Sequence, residues 1–386
     1  MSKRTSESVR PAETVGAVTT ASKYTITAQA DEYRPATHDY FRQHFENFVF
    51  QGGGMRGIAF GGAILFLEKY NLLSQIKRFA GSSAGAIVAG LLAVGCTGQK
   101  TTDILHNTRF HTFMDGRESP LYAFSDAWRF LHEYGFFKGE VFEQWYGKVL
   151  EDITGDPNIT FLQVYERYGK ELVITGTCLN TCETHYYHYK EYPHMPVKTA
   201  VRISMGIPCI FTAFKEPGTD NLMVDGGILN NYPIWVFDGK TIGDPGVTDE
   251  EILKSKTLGF KLMTDQEKQD YKLYHIEERI DGAMGFIKAL INSMLIQIER
   301  GHIRAGYWPR TVCINTHNAD SFNFDLPDET KQKLIQSGYD SISAKMIEIS
   351  NTLVPKPVET TQTTQTTETD EITIEDITNS IEHLSF

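Results

Sequence analysis

The sequence lacks any apolar run long enough to cross a bilayer. Its longest nearly uncharged apolar stretch, residues 84–96, falls well short of the roughly 20 residues that a spanning helix needs. The first residues do not form the apolar segment of an export signal. The five cysteines are scattered and odd in number, which is not typical of a disulfide framework. We therefore expect a cytoplasmic or otherwise intracellular soluble protein with reduced thiols.

Basic residues are also scarce. The 386 residues include 37 lysines and arginines against 49 aspartates and glutamates, which gives a net charge of −12. A protein that binds nucleic acid through its phosphates needs a basic face, so we expect no nucleic-acid partner. Hydrophobic residues make up 41% of the chain, which is enough apolar material for a packed core.

Composition divides the chain into three parts. Residues 1–40 are rich in serine, threonine and alanine without a helical or strand period, so we expect a disordered arm, with ordered structure beginning near Tyr40. Residues 41–354 form the expected globular domain. Residues 355–386 are rich in threonine and glutamine and carry half of the net charge.

The acidic tail also contains an apolar pattern. Ile374, Ile377, Ile381 and Leu384 recur at spacings of three and four, as on one face of a helix. One interpretation is a short amphipathic helix over residues 371–386 that docks on the globular domain or on a protein partner or activator. The other is an acidic solubility tail without structure.

The globular part begins with two units of strand, glycine turn and helix. Residues 47–50 and 77–80 are the predicted strands, and each leads into a glycine-rich turn and a helix. Two such units in succession predict an α/β fold with a parallel sheet. Further strands are predicted at 171–177, 185–189, 257–262 and 312–315, and further helices at 102–110, 125–134, 140–153, 161–168, 274–300 and 328–352.

The strongest chemical signal is the second glycine turn. Gly81-Ser82-Ser83-Ala84-Gly85 has the Gly-x-Ser-x-Gly spacing of a nucleophile elbow and lies between a strand and a helix. The glycines allow a turn too tight for side chains, and the helix directs its positive end towards charge that develops at Ser83. The alternative is an ordinary helix N-cap.

The first glycine turn, Gly52-Gly-Gly54-Met-Arg56-Gly57, exposes consecutive backbone N–H groups that can hold an anion. The same residues satisfy the Gly-x-Gly-x-x-Gly dinucleotide fingerprint. That fingerprint requires a carboxylate about 20 residues later to hold a ribose, and residues 72–79 contain none. An anion-binding loop is therefore favoured.

A third turn, Asp225-Gly226-Gly227, follows the predicted strand residues 222–224. A carboxylate at the end of a strand is well placed to accept a proton. An Asp-Gly hairpin turn is the structural alternative, and by itself the more common one.

In this order, the three turns strongly resemble the patatin-like phospholipase family. The likeness extends through Thr160-Phe161, residues 171–174, Arg202-Ile-Ser-Met-Gly206-Ile-Pro and residues 224–233, and covers about residues 47–237. It implies a three-layer α/β/α sandwich with a mainly parallel central sheet. Gly206 stands where the family commonly has alanine, and we expect this departure not to touch the catalytic residues.

The resemblance also implies the roles of single residues. Ser83 is the expected nucleophile, Asp225 its base, and the backbone of Gly52, Gly53 and Gly54 the oxyanion hole, with Arg56 beside it. Gly57, Gly81, Gly85, Gly226 and Gly227 are the expected motif glycines. The implied function is hydrolysis of acyl esters of membrane phospholipids or lysophospholipids, with transient membrane contact and no metal or cofactor.

A base of this kind must differ from a free aspartate, whose pKa of about 3.9 makes it weak, so burial should raise the pKa of Asp225. One enzymatic alternative is a Ser-Asp-His esterase, whose histidine would be His275, His302, His317 or His383. A binding protein on an inactive hydrolase fold is the alternative from another class.

Two apolar patterns and one cluster remain. The aromatic-rich residues 121–137 are interpreted as packed inside the fold rather than as a lipid-facing surface. Met284, Ile287, Ile291, Met294 and Ile298 share one helix face, interpreted as core rather than as a membrane or partner face. Cys178, Cys182, His185 and His188 superficially resemble a zinc site, but the two histidines point to opposite sides of a predicted strand.

Overall fold

The computed structural model describes residues 24–27, 35–114, 123–265, 267 and 280–353. Within these residues the helices are α1 (Pro35–His44), α2 (Ala59–Lys69), α3 (Ala84–Ala93), α4 (Gly98–Asn107), α5 (Ala123–Glu133), α6 (Glu140–Thr154), α7 (Phe161–Tyr168), α8 (Val197–Ser204), α9 (Gly227–Asn230), α10 (Asp249–Leu253), α11 (Gly282–His302) and α12 (Asp328–Leu353). The strands are β1 (Asn47–Phe50), β2 (Arg78–Gly81), β3 (Gly135–Phe137), β4 (Glu171–Cys178), β5 (Glu183–Tyr187), β6 (Cys209–Phe211), β7 (Phe214–Lys215), β8 (Leu222–Asp225), β9 (Thr257–Met263) and β10 (Thr311–Asn315). Short 3-10 helices lie at Gly54–Ile58, Phe110–Phe113 and Ala305–Arg310.

The central sheet has the strand order β10-β9-β1-β2-β4-β8-β7, with β5 also paired to β4. The five strands from β10 to β4 are parallel to one another. Strands β5 and β8 pair antiparallel with β4, and β7 pairs antiparallel with β8. A separate parallel pair joins β3 to β6. The sheet is therefore mainly parallel, with an antiparallel side.

Both faces of the sheet are buried, because alternate side chains along the strands belong to two different cores. Phe48 and Phe50 of β1 belong to the larger core, whereas Val49 between them belongs to a smaller core on the other face. Strands β2 and β4 divide their side chains in the same way. Successive side chains of a strand point to opposite faces, so two cores on one sheet define three layers. The predicted α/β/α sandwich is confirmed.

The larger core is closed by long helices that approach each other closely. A methyl group on Gly62 of α2 would overlap the carbonyl of Ile335 in α12, and one on Gly338 of α12 would overlap the carbonyl of Ala59 in α2. The smaller core is covered by residues 232–237, α10 and Tyr307. The two outer layers thus differ in build: packed long helices on one side, short elements and loop on the other.

Described structure begins before Tyr40, where the sequence analysis expected it to start. Helix α1 begins at Pro35. Phe41 within this helix and Phe45 just after it belong to the core. Burial of these aromatic side chains outweighs the polar composition of the segment. Upstream of it, Tyr24 is also part of the core. The predicted helix over residues 371–386 lies outside the described residues.

The aromatic segment, whose side chains are described from Trp128 onward, is only partly inside the fold, which corrects the interpretation of residues 121–137 for this part. Phe137 is buried by its pairing in the β3–β6 sheet, but Trp128, Leu131 and Tyr134 are 60%, 69% and 54% exposed.

The apolar pattern of α11 is likewise divided. Ile291 is buried and Ile287 packs against the core, whereas Met294 is 37% exposed. Phe286 and Leu290 on the outer side are 58% and 50% exposed. None of the helices in the described ranges combines the length and apolar character needed to cross a membrane.

The glycine contact between α2 and α12 makes a test of packing. We expect Gly62→Ala and Gly338→Ala each to lower the free energy of unfolding by about 1–3 kcal/mol, because each new methyl group overlaps a backbone carbonyl of the facing helix. Urea unfolding followed by circular dichroism measures this.

Gly301→Ala in α11 is the matched control, because nothing lies within 4 Å of its added methyl group. It should be neutral or stabilising by up to about 1 kcal/mol. If Gly301→Ala lowered the free energy of unfolding as much as Gly62→Ala and Gly338→Ala, the packing argument would be contradicted.

Candidate active site

Strand register brings the sequence-predicted residues to one edge of the sheet. Phe50, Gly81 and Ile174 are aligned across β1, β2 and β4. Gly52, Ser83 and Gly176 each follow an aligned residue by two positions, and Asp225 of β8 pairs with Gly176. Because the strands rise equally per residue, these positions reach the same level beyond the sheet. The glycine loop, Ser83 and Asp225 therefore meet there.

Ser83 lies on a strained turn between β2 and α3. Its backbone has φ 50° and ψ −121°, a conformation that non-glycine residues rarely adopt and that costs about 1–3 kcal/mol. The turn depends on its flanking glycines, because a methyl group on Gly81 would overlap the backbone of Gly85, and one on Gly85 would overlap the carbonyl of Phe50. The geometry is that of an elbow rather than an ordinary N-cap, since no side-chain cap hydrogen bond is formed.

A second serine holds this turn. The Ser83 backbone N–H donates to the hydroxyl oxygen of Ser204, 2.9 Å away, at the end of α8. Both serines are buried, with side chains that water barely reaches. Ser204 lies in the Arg202-Ile-Ser motif that carries the family resemblance, but no local sequence pattern marks it as a partner of Ser83.

Asp225 ends β8 and is held through its backbone and its side chain. Its N–H donates to the carbonyl of Gly206 at 2.9 Å, and one carboxylate oxygen accepts the N–H of Gly227 at 2.7 Å. The Gly206 contact is made by its backbone carbonyl, which an alanine would also supply, and a methyl group at this position would meet Arg202 and Ile203 rather than Asp225. The chain continues from Gly226 into α9, so the hairpin-turn alternative does not apply.

The carboxyl group of Asp225 is buried beside the Ser83 hydroxyl. Burial raises the pKa of Asp225 to about 7, while hydrogen bonds from Gly227 and Ser83 partly oppose that rise. A carboxylate with this pKa is half protonated near neutral pH and accepts a proton far more readily than a free aspartate. Asp225 therefore has the basicity that taking a proton from the neighbouring Ser83 hydroxyl requires.

The glycine loop is fastened to the segment after Asp225 by one residue, Asn231. The Gly52 N–H donates to the Asn231 carbonyl at 2.9 Å, and the Asn231 side-chain amide donates back to the Gly52 carbonyl at 3.3 Å. The N–H of Gly52 is thus engaged and does not face a substrate, which removes it from the expected oxyanion donors. Gly53 and Gly54 remain, because their N–H groups have no acceptor among the described residues.

Arg56 lies beside this loop, in the wall of a polar cleft. Its Nε atom is buried and has no hydrogen-bond partner in the described part of the chain. An arginine presented in this way can pair with a phosphate or carboxylate group of a ligand.

Two cavities meet at Ser83. The first has a volume of about 50 Å³ and an apolar, largely aromatic wall that includes Leu105, Phe110, Phe113 and Phe142. The second, called the polar cleft here because its lining is mixed and more polar than that of the first, has a volume of about 440 Å³ and contains Asp225, Arg56 and residues of α11. Ser83, Gly54 and Ile207 border both, so the serine lies where an apolar and a polar environment join.

The histidines of the triad alternative do not enter this site in the described residues. His302 packs against Trp235, and His317 is exposed after β10. His275 and His383 lie outside the described residues. Cys178 and Cys182 are buried and exposed, respectively, and within the described ranges no group of three or more histidine, cysteine, aspartate or glutamate side chains is arranged to hold a metal ion.

The sandwich, with a serine on a strained turn between strand and helix, has the architecture of α/β hydrolytic enzymes. Residues 48–238 match the family described as Patatin-like phospholipase. These residues form a patatin-like phospholipase domain, and the match supports lipid hydrolysis as the class of activity.

The chain is also similar to individual proteins. The chain is 28% identical over 298 residues to the uncharacterized protein YqhO of Bacillus subtilis (strain 168), covering 75% of this chain and 94% of that one. It is 27% identical over 207 residues to a probable lipid hydrolase of invertebrate iridescent virus 6, covering 53% of this chain and 67% of that protein. The crystal structure of VipD from Legionella pneumophila superposes with a TM-score of 0.53 at 15% identity over 79% of this chain and 67% of VipD, a likeness of fold.

The raised pKa of Asp225 makes stability depend on pH. The folded carboxyl keeps its proton up to about pH 7, whereas the unfolded one releases it near 3.8, so the free energy of unfolding falls as pH rises between these values. Asp225→Asn replaces the carboxyl with a group that does not ionise, so its free energy of unfolding should not fall in this way as pH rises. We expect it to be more stable than wild type at pH 8, by at most about 4 kcal/mol, and to differ little at pH 4.

Urea unfolding at pH 4, 6 and 8 measures the difference. Asp220→Asn is the control, since the side chain of Asp220 is 96% exposed and should give no comparable gain. If Asp225→Asn raised the free energy of unfolding by the same amount at all three pH values, the assigned pKa would be contradicted.

Proposed function

We propose that the chain hydrolyses acyl esters of membrane phospholipids or lysophospholipids, as a phospholipase A or lysophospholipase, with Ser83 as nucleophile and Asp225 as its base. The observation that carries this proposal is the buried Asp225 carboxyl of raised pKa beside Ser83, where an apolar pocket joins a polar cleft. The relative from the iridescent virus, itself a probable lipid hydrolase, supports the same substrate class.

The proposed reaction proceeds through an acyl-enzyme. The Asp225 carboxylate takes the proton of the Ser83 hydroxyl as its oxygen attacks the ester carbonyl. The N–H groups of Gly53 and Gly54 stabilise the resulting oxyanion, each by about 3 kcal/mol in comparable sites. The intermediate expels the alcohol, which takes the proton from Asp225, and water then cleaves the acyl-enzyme with Asp225 again as base. No metal or cofactor takes part in these steps.

The two cavities match the two ends of such a substrate. The aromatic pocket suits an acyl chain, but 50 Å³ holds only one or two water-sized groups, so a long chain must displace side chains of its wall. Phe110 and Phe113 belong to a short 3-10 helix rather than to the sheet, which makes this wall the part that most readily gives way. The polar cleft suits a head group, with Arg56 to bind its phosphate.

Helix α11 supports the proposed membrane contact. Its inner side contributes Ile291 and Leu295 to the cleft, and its outer side exposes Phe286, Leu290 and Met294 at successive spacings of four. A helix that is apolar on both sides is not typical of a protein surface in water. We propose that this outer stripe enters the lipid surface and brings the cleft to its substrate.

The catalytic assignment predicts a clear pattern of variants. Ser83→Ala and Asp225→Asn should each lower turnover of a phospholipid or soluble ester at least a thousandfold with the fold intact, because each removes one partner of the proton transfer. Ser82→Ala, the neighbour outside the elbow apex, should stay within about tenfold. Released fatty acid measured by mass spectrometry in EDTA, with circular dichroism for folding, checks this.

Three results would overturn the assignment. One is an active Ser83→Ala variant beside an inactive Ser82→Ala variant. Another is activity that disappears in EDTA and returns with calcium. The third is a folded but inactive His302→Ala or His317→Ala variant, which would favour the triad esterase.

Wild-type kcat/KM should also fall as pH drops below about 7, where Asp225 becomes protonated.

The membrane stripe is tested by separating vesicle substrate from soluble substrate. Phe286→Glu and Leu290→Glu should lower hydrolysis of phospholipid vesicles at least tenfold, because a charge opposes entry into lipid, and should leave a short-chain soluble ester within about twofold. Leu253→Glu on α10 is the matched control, since Leu253 is 59% exposed but lies away from the cleft. Equal losses on both substrates, or an equal vesicle defect at Leu253, would contradict the role of α11.

A further inference from the structure

Residues 24–27 are bound to α12 in an unusual way. The Thr25 N–H donates to the side-chain oxygen of Gln332 at 3.2 Å, and the Gln332 amide donates back to the Thr25 carbonyl. Thr27 makes the same pair of hydrogen bonds with Gln336, at 2.9 and 3.0 Å. Each glutamine side chain thus binds both polar groups of one backbone residue, as a neighbouring β-strand does.

The spacing explains why two glutamines suffice. Gln332 and Gln336 are four residues apart on one face of α12, which separates them by about 6 Å along the helix. Thr25 and Thr27 are two residues apart in an extended segment, which separates them by about 6.6 Å. A glutamine pair at this helical spacing therefore matches alternate residues of any extended peptide.

The other side chains of the segment point the opposite way. Tyr24 is only 9% exposed and Ile26 packs against the core, whereas Thr25 and Thr27 are exposed. The Tyr24 hydroxyl accepts a hydrogen bond from Gln99 of α4, and its ring lies 5.7 Å from the ring of His106 in the same helix. Helices α4 and α12 therefore form the two walls of a groove with one aromatic subsite.

The groove does not depend on the segment for its walls. Lys331 of α12 is buried and donates to the His106 carbonyl at 3.0 Å, which ties the two walls together below the segment. Helix α12 is also fixed by its close packing on α2. Residues 24–27 lie on a groove that the folded domain itself supplies.

We propose that the groove between α4 and α12 is a binding site for an extended peptide, and that residues 24–27 occupy it in cis as an exchangeable ligand. The chemistry of recognition is defined by the contacts: backbone amides at two alternate residues, one buried aromatic side chain before them, and one apolar side chain between them. The side chains of Thr25 and Thr27 form none of these hydrogen bonds. A peptide of the pattern aromatic, any, apolar, any is the expected ligand class.

The test uses the full chain with Tyr24→Ala, which removes the aromatic anchor of the cis segment. A fluorescent peptide of residues 20–30 should bind this variant at least tenfold more tightly than it binds wild type, whose own segment competes at high effective concentration. N-methylation at the two threonines should weaken binding at least tenfold, because it removes the N–H donors. Replacing both threonine side chains by alanine should change binding by no more than about twofold.

Variants of the groove complete the test. Gln332→Ala with Gln336→Ala, added to the Tyr24→Ala chain, should abolish peptide binding with an unchanged melting temperature. Lys333→Ala on the exposed side of α12 is the matched control and should bind normally. Absence of peptide binding to a folded Tyr24→Ala chain, or equal binding of the N-methylated peptide, would overturn the proposal.

Hydrogen exchange on wild type gives a second readout if Tyr24→Ala does not fold. The amides of Thr25 and Thr27 should be protected, and excess peptide should speed their exchange by displacement. Unprotected amides, or protection unaffected by peptide at millimolar concentration, would overturn exchange in cis. Dimers that form with rising concentration and lose this protection on dilution would instead assign the occupant to a second copy of the chain, against the proposal.

Discussion

The alignment of strand ends at one edge of the sheet is the constraint on which the rest of the site depends. Parallel pairing of β1, β2 and β4 brings the glycine loop and Ser83 to the same level, and antiparallel pairing of β8 with β4 brings Asp225 there from the opposite chain direction. A shift of one residue in β8 would turn the Asp225 side chain to the other face of the sheet. The hydrogen bond from Asp225 N–H to the Gly206 carbonyl fixes this register at the strand end.

Two features that lower the free energy of unfolding lie together where the serine turn meets the end of β8. Ser83 has a strained backbone, and Asp225 is buried in a form that must lose its proton to act. Each is held by neighbours from other elements: Ser204 binds the Ser83 N–H, and Gly227 binds the Asp225 carboxylate. The large core of packed helices on one side of the sheet provides the stability against which these local costs are set.

The sequence was informative where a single residue type is required and uninformative where contacts come from distant segments. The glycine turns and the strand pattern indicated the α/β/α fold, because tight turns and buried strands have strong local signals. Ser204 and Asn231 act through hydrogen bonds to residues 121 and 179 positions away, and no local pattern reports such pairing. The polar composition before Tyr40 concealed a docked segment for the same reason, since its partners Gln332 and Gln336 lie more than 300 residues later.

The shared boundary of the two cavities limits how the site can diverge. Ile207 contributes to the wall of the aromatic pocket and to that of the polar cleft, whereas Leu105 borders only the former and Arg56 only the latter. A change of side-chain size at Ile207 therefore alters both volumes at once. Substitutions at Leu105 or Arg56 can change selectivity for one end of a ligand alone. A substitution at Ile207 changes selectivity for both ends together.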